Sequence, residues 1–180
     1  MALYVYIAQS LDGYIAGPDG ELDWLHEIPN PDNDDFGFAD FMAKIDAVVM
    51  GKNTFAKVIS FGEWIYNKPV YVASSSIKSI PQGYEDKVEL IDAKPADIVA
   101  TLAEKGLTNL YIDGGALIQS FLSHGLMDKL IITTVPVLLG AGVRLFGKID
   151  SPIKVELEKS EILSGALVKN IYTVQCVPNG

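Results

Sequence analysis

The chain has 180 residues, 49% of them hydrophobic, and its formal net charge is −9. This length and composition are typical of one globular domain with a sizeable core, so a single domain over residues 1–180 is predicted. The acidic balance argues against nucleic-acid and anionic-membrane partners, which attract basic surfaces. No run approaches the roughly 20 apolar residues of a membrane span, and no secretory signal is recognisable, so a cytoplasmic location is expected.

Six apolar runs are rich in β-branched and aromatic residues, which predicts buried strands. They lie at residues 3–8, 47–50, 70–73, 88–91, 110–112 and 130–135. Apolar residues at helical spacing predict helices between several of these runs, at residues 38–45, 54–59, 95–106 and 116–124. Because parallel strands need crossover connections, this alternation predicts an α/β fold with a largely parallel sheet covered on both faces.

The end of the chain has a different pattern. Two strand-like stretches between residues 154 and 177 flank a turn at residues 163–166, which predicts a C-terminal antiparallel hairpin. Cys176, the one cysteine of the sequence, lies in the second stretch. No internal disulfide can form, and a buried, unreactive thiol is expected there.

Glycines stand at two predicted strand-to-helix junctions. At Gly114 and Gly115 the backbone can approach a ligand closely, and the amino end of the following helix attracts phosphate. The same glycines could serve only a tight turn. Gly51 and Lys52 follow another strand, with Thr54 as a candidate N-cap, and here a lysine could contact a phosphate.

Ser74 and Ser75 follow a third predicted strand and offer hydroxyl groups. Ligands of open α/β sheets bind outside the carboxyl ends of the strands. Three strand ends with phosphate-binding residue types therefore predict one anion-binding edge of the sheet.

Four motifs resemble those of the dihydrofolate-reductase-like superfamily, in particular the reductase domain of the bifunctional riboflavin-biosynthesis deaminase-reductase. They occupy residues 10–16 (SLDGYIA), 46–55 (DAVVMGKNTF), 111–118 (YIDGGALI) and 136–146 (PVLLGAGVRLF). The resemblance covers nearly the whole chain and implies a three-layer α/β/α fold. It also implies an NADPH-dependent reductase that transfers a hydride to a pyrimidine- or pteridine-type heterocycle, of the 5-amino-6-(5-phosphoribosylamino)uracil reductase type.

The resemblance further implies which residues hold the NADPH. Ala8 and Ile15 would frame the nicotinamide ring. The other positions would hold the phosphates and the adenosine side: Gly51, Lys52, Thr54, Ser74, Ser75, Gly114, Gly115, Ala116 and Leu117.

The substrate side depends on an acid and a tryptophan. Dihydrofolate reductases place a carboxylate on the first long helix, where it binds the ring and assists protonation, and Asp35 matches this catalytic and substrate-binding position, with Asp34 and Asp40 as alternatives. These acids could instead be helix-terminal residues favoured by the helix dipole. Trp24 is a candidate substrate-binding residue in a lid, although it could equally pack in the core.

Other functions remain open. One alternative is dihydrofolate reductase activity, and another is an NADPH-binding sensor without turnover. No metal site is expected, because the two histidines, His26 and His124, have no ligand spacing around them, and a single cysteine cannot supply a zinc-deaminase signature. A homodimer is expected from the resemblance and from the apolar run at residues 130–139, which could also be an ordinary core strand.

Overall fold

The computed structural model describes residues 1–175. Its strands are β1 (Ala2–Ser10), β2 (Tyr14–Ala16), β3 (Ala47–Gly51), β4 (Val70–Ala73), β5 (Val88–Ile91), β6 (Asn109–Asp113), β7 (Lys129–Val135), β8 (Val143–Arg144), β9 (Val155–Leu163) and β10 (Leu167–Val174). The helices are α1 (Asp23–His26), α2 (Phe38–Met42), α3 (Lys52–Ser60), α4 (Pro95–Glu104) and α5 (Gly115–Ser123). Cys176, expected as a buried thiol, lies outside the described residues.

The described residues form one eight-stranded sheet and a small two-stranded one. The order in the large sheet is β5-β4-β3-β6-β1-β7-β10-β9. Neighbours from β5 to β7 are parallel, whereas β10 is antiparallel to both β7 and β9. The α/β class, the largely parallel sheet and the C-terminal antiparallel hairpin are therefore confirmed.

Two hydrophobic clusters cover opposite faces of the sheet, which gives the three-layer arrangement. On one face α4 and α5 bury residues such as Leu102 and Phe121 against the strands. On the other face α2 and α3 bury residues such as Phe41 and Phe55. Burying one such side chain fully is worth roughly 1.5–3 kcal/mol, so these two apolar layers fix the helices over the parallel strands.

One local expectation is wrong. Helix α3 begins at Lys52 with Gly51 as its N-cap and no side-chain capping hydrogen bond, so Thr54 lies inside the helix instead of capping it. In the run at residues 130–139, strand β7 lies between β1 and β10 and buries Leu130 and Ile132, as an ordinary core strand does. Beyond the strand, Leu138 is 70% exposed. The homodimer stays a prediction.

The short elements β2, β8 and α1 were not predicted from the sequence. Strand β2 pairs with β8, more than a hundred residues away, so its conformation depends on a long-range contact. Within residues 1–175, no helix has both the length and the apolar character needed to cross a membrane.

Candidate functional site

A cavity of about 1250 Å³ opens along the carboxyl ends of β1, β3, β4 and β6. This exceeds the roughly 300–1,000 Å³ typical of sites for one small ligand, so two ligands can lie side by side. All eleven residues expected to hold NADPH line it: Ala8, Ile15, Gly51, Lys52, Thr54, Ser74, Ser75, Gly114, Gly115, Ala116 and Leu117. The parallel sheet brings them together because the ends of neighbouring parallel strands meet at one edge.

The two glycine junctions lie next to each other on this edge. Gly114 adopts a φ of 95°, which favours glycine, and a Cβ there would overlap the Thr54 hydroxyl. A Cβ on Gly115 would lie 2.9 Å from Ile15 Cδ1. A side chain at either position would force its neighbours to shift, so the two glycines keep backbone accessible at the amino end of α5. Such a backbone suits a phosphate site.

The other end of the cavity carries a lysine and serine hydroxyls. Lys52 Nζ donates a hydrogen bond to Ser76 Oγ at 3.0 Å, and Ser74 Oγ accepts hydrogen bonds from the backbone N–H groups of Ser76 and Ile77, both at 3.2 Å. Lys52 is exposed, so its ammonium can exchange the serine for a phosphate oxygen.

Asp113 is the acidic residue that the sequence reasoning missed. It ends β6 on the cavity wall, half-buried, and its Oδ2 accepts a hydrogen bond from the Tyr66 hydroxyl at 3.3 Å. Burial raises the pKa of Asp113 to about 6, although the hydrogen bonds from Tyr66 and the Gly114 backbone oppose the rise. The one feature of the sequence that could have indicated Asp113 as a site residue is its position at a strand end, directly before Gly114 and Gly115.

Aromatic rings form the wall beside Asp113. Tyr66 and Tyr111 are buried, and Phe38 contacts Tyr111 edge to face with ring centroids 6.5 Å apart. Leu22 and Leu25 line the same cavity. A carboxyl group among aromatic and aliphatic side chains suits a flat ring that offers N–H groups.

Asp35 lies outside the cavity lining. Its carboxylate accepts hydrogen bonds from the backbone N–H groups of Gly37 and Ala39, each at 2.8 Å, which hold the pKa of this carboxyl below its usual range. Asp34 and Asp40 are likewise exposed and outside the lining. Asp35 thus binds backbone N–H groups at the start of α2, as a helix-terminal acid does. Its position outside the cavity does not support a catalytic role.

Trp24 is buried in a small cluster with Val135 and Leu167, and its Nε1 has no hydrogen-bond partner among residues 1–175. Its neighbours Leu22 and Leu25, not the indole, line the cavity. Trp24 therefore packs next to Leu25 behind the cavity wall and does not line the cavity. Among residues 1–175, no group of three His, Cys, Asp or Glu side chains is arranged to hold a metal ion.

A family model for the RibD C-terminal domain matches residues 2–169. The chain belongs to this family. It is 35% identical over 158 residues to YwjB of Bacillus subtilis (strain 168), a protein of uncharacterized function, with 86% of this chain and 87% of YwjB aligned.

Solved structures share the fold. A Shewanella sp. PV-4 protein superposes with a TM-score of 0.95 and 49% identity, over 97% of this chain and 99% of that one. A Thermotoga maritima diaminohydroxyphosphoribosylaminopyrimidine deaminase/5-amino-6-(5-phosphoribosylamino)uracil reductase superposes with a TM-score of 0.75 and 15% identity, over 97% of this chain and 56% of that one. The family and these neighbours confirm the expected reductase-domain relationship and fold.

Proposed function

We propose that this protein is an NADPH-dependent reductase that transfers a hydride to a pyrimidine-type heterocycle bound against Asp113. The observation that carries the proposal is one cavity in which strand ends with glycine, lysine and serine residues lie beside a carboxyl of raised pKa. The Shewanella relative is provisionally named for riboflavin biosynthesis, which supports this substrate class.

The cavity residues fit the cofactor. Gly114 and Gly115 form a backbone cradle that a Cβ would fill, next to the amino end of α5. Lys52, Thr54 and Ser74 supply a cation and hydroxyls for the phosphates and ribose, and Ala8 and Ile15 give the nicotinamide an apolar contact. NADPH, when bound, supplies the hydride, and the protein orients the two reactants.

Asp113 supplies the proton. Reduction of a C=N or C=O bond adds a hydride to carbon and a proton to nitrogen or oxygen. With a pKa of about 6, Asp113 holds a proton in part of the molecules near neutral pH and can release it to the ring. Tyr66 keeps the carboxyl oriented, and the neighbouring aromatic rings keep water away from it.

Dihydrofolate is the second candidate substrate, because the lining beside Asp113 is largely aromatic and aliphatic, with Phe38, Leu22 and Leu25 on the wall. Such a surface accepts a pteridine as readily as a pyrimidine.

NADPH titration followed by oxidation assays with 5-amino-6-(5-phosphoribosylamino)uracil and dihydrofolate tests the proposal. Asp113→Asn should lower kcat by about 100-fold while leaving NADPH affinity unchanged, because it removes a proton donor and not a phosphate contact. Asp92→Asn is the matched control, since Asp92 lines the adenosine side of the same cavity and should leave kcat near the wild-type value.

Three outcomes separate the alternatives. Oxidation of NADPH by one substrate identifies the reaction. NADPH binding without oxidation by either substrate would favour the sensor, and no NADPH binding would contradict both functions.

A further inference from the structure

Two short strands from distant parts of the chain form one wall of the cavity. Ile15 and Ala16 of β2 line it, and so does Val143 of β8. Ile15 lies against the amino end of α5, where a Cβ on Gly115 would be 2.9 Å from the Ile15 Cδ1. The placement of the β2–β8 pair therefore sets where the side chain of Ile15 meets a ligand.

The β2–β8 pair depends on its flanking segments for its position. Strand β2 has three residues and β8 has two, and within the described chain they form a sheet separate from the large one. A two-stranded ribbon is at best marginally stable in water without further packing. The segment before β8 packs closely on β2, because a Cβ on Gly142 would overlap the backbone oxygen of Ala16.

Asp12 joins the two segments that carry these strands. It lies between β1 and β2, and its carboxylate accepts hydrogen bonds from the backbone N–H groups of Leu139 at 3.1 Å and Gly140 at 2.7 Å. Its Oδ1 also accepts a hydrogen bond from the Ser10 hydroxyl at 2.6 Å. One carboxylate thus fixes the start of β2 relative to the segment that leads into β8.

Ser10 extends this constraint to β2 itself. Its side chain is fully buried, and its hydroxyl oxygen accepts a hydrogen bond from the backbone N–H of Tyr14 at 2.9 Å while donating to Asp12. Hydrogen bonds to a charged acceptor are stronger than neutral ones. Tyr14 directly precedes Ile15, so two hydrogen bonds and one peptide unit connect the Asp12 carboxylate to the cavity wall.

We propose that Asp12 is a positioning residue for the nicotinamide half of the cofactor and acts through Ser10 and Tyr14 on Ile15. The inference rests on the proposed reductase function, in which Ile15 contacts the nicotinamide, whereas α3 and the end of β4 hold the phosphates and the adenosine. A carboxylate suits this task because both of its oxygens accept, so it can bind three donors at once. A misplacement of about 1 Å between reacting groups can slow a reaction roughly 100-fold.

Carbon-13 NMR of the isoleucine Cδ1 methyl groups of the whole chain tests the structural step without cofactor. Asp12→Asn replaces one accepting oxygen by a donating nitrogen, so at least one of the hydrogen bonds to this side chain is lost. The Ile15 methyl resonance, assigned by its absence in Ile15→Val, should then shift by more than its line width. An unmoved resonance in the folded variant would overturn the proposal whatever reaction the protein catalyses.

Calorimetric titration with NADPH and with adenosine 2′,5′-bisphosphate, the cofactor's nicotinamide-free end, tests the functional step. Asp12→Asn should weaken NADPH about 10-fold and leave the bisphosphate within about two-fold of its wild-type affinity. In the double variant with Ile15→Ala, the two effects on NADPH should be less than additive, because both act at one contact. Equal weakening of both ligands would overturn this inference alone, whereas a wild-type protein that does not bind NADPH would contradict the reductase function as well.

Asp46→Asn is the matched control. Asp46 precedes β3, at the end of that strand away from the cavity, and its Oδ2 likewise accepts hydrogen bonds from the backbone N–H groups of Thr108 at 2.9 Å and Asn109 at 2.8 Å. Its replacement should lower the free energy of unfolding without moving the Ile15 resonance or weakening NADPH. Matching effects in this control would assign the response to general destabilisation and contradict a role in positioning.

Ser10→Ala keeps the proposal testable if Asp12→Asn does not fold. It removes the link from Asp12 to Tyr14 and leaves the hydrogen bonds from Leu139 and Gly140 in place. Circular dichroism verifies the fold of each variant. The same displaced methyl resonance and the same selective loss of NADPH affinity are expected, and a folded Ser10→Ala protein with neither change would refute the path through Ser10.

Discussion

At the scale of single residues, the hydrogen bond between Tyr66 and Asp113 controls the protonation of the carboxyl group in the cavity. The two side chains are 47 positions apart in the sequence, yet the Tyr66 hydroxyl lies 3.3 Å from Asp113 Oδ2. Burial raises the pKa of the carboxyl, and the hydrogen bond from Tyr66 opposes that rise. The tyrosine therefore positions the acid and limits how strongly it is protonated.

Replacing Tyr66 by Phe should raise the pKa of Asp113 above about 6, because it removes a hydrogen bond that favours the ionised carboxyl. A carbon-13 NMR titration of the Asp113 carboxyl measures this shift directly. The alkaline limb of the kcat/KM profile, on which activity falls as Asp113 loses its proton, should move in the same direction. Tyr71→Phe is the control, because the Tyr71 hydroxyl lies near Glu89 and Lys105 instead. An unchanged titration in Tyr66→Phe would show that the hydroxyl does not stabilise the carboxylate.

Among the secondary-structure elements, α3 and α5 decide the geometry of the edge at which we propose that the cofactor binds. Each begins directly after a parallel strand, so the amino ends of both helices reach the same cavity. Their glycines nevertheless differ. Gly114 has a φ of 95° and packs against Thr54, whereas Gly51 has a φ of −78° and open space where a Cβ would lie.

Gly114→Ala should therefore destabilise the protein by roughly 1–3 kcal/mol, because the new Cβ meets the Thr54 hydroxyl and the positive φ strains an alanine. Gly51→Ala should change the free energy of unfolding by less than about 1 kcal/mol. Urea unfolding of both variants measures the difference. Equal stabilities would contradict the packing of the two junctions described above.

For the whole molecule, some carboxyl groups have a lowered pKa in the folded state and Asp113 has a raised one. Together they set how the free energy of unfolding depends on pH. The Ser10 hydroxyl and the backbone of Gly140 and Leu139 donate to Asp12 and lower its pKa to about 2. Backbone N–H groups of Thr108 and Asn109 likewise lower the pKa of Asp46. These carboxylates stabilise the fold above their unfolded pKa of about 3.9, and that contribution is lost as the pH falls through their lower folded values.

Asp113 has the opposite effect. Its folded pKa of about 6 lies above the unfolded value of about 3.9, so ionisation destabilises the fold as the pH rises from about 4 to about 6. The free energy of unfolding should therefore be highest near roughly pH 4 and should decline between about pH 4 and pH 6, and Asp113→Asn should reduce this decline. Urea midpoints at successive pH values test this. A wild-type decline that Asp113→Asn leaves unchanged would be inconsistent with the raised pKa.

The sequence by itself determined the regular elements and the set of residues that line the cavity at the sheet edge. Periodicity and residue type are local properties, so the six strands, the hairpin and the glycine junctions could be predicted, and the family motifs pointed to eleven positions that do share one cavity. Parallel pairing explains this success, because it brings consecutive strand ends to one edge whatever the details of packing.

Only the tertiary structure decided which acidic residue lies in the cavity and which apolar side chains of the C-terminal hairpin are exposed. Asp35 lies outside the cavity, and its carboxylate binds the first turn of α2. The pKa of Asp113 is raised because residues distant in the sequence bury its carboxyl. The exposure of Leu157 and Ile162 depends on which strands the helices cover. Desolvation and layer packing arise between segments far apart in the chain, so no local pattern in the sequence records them.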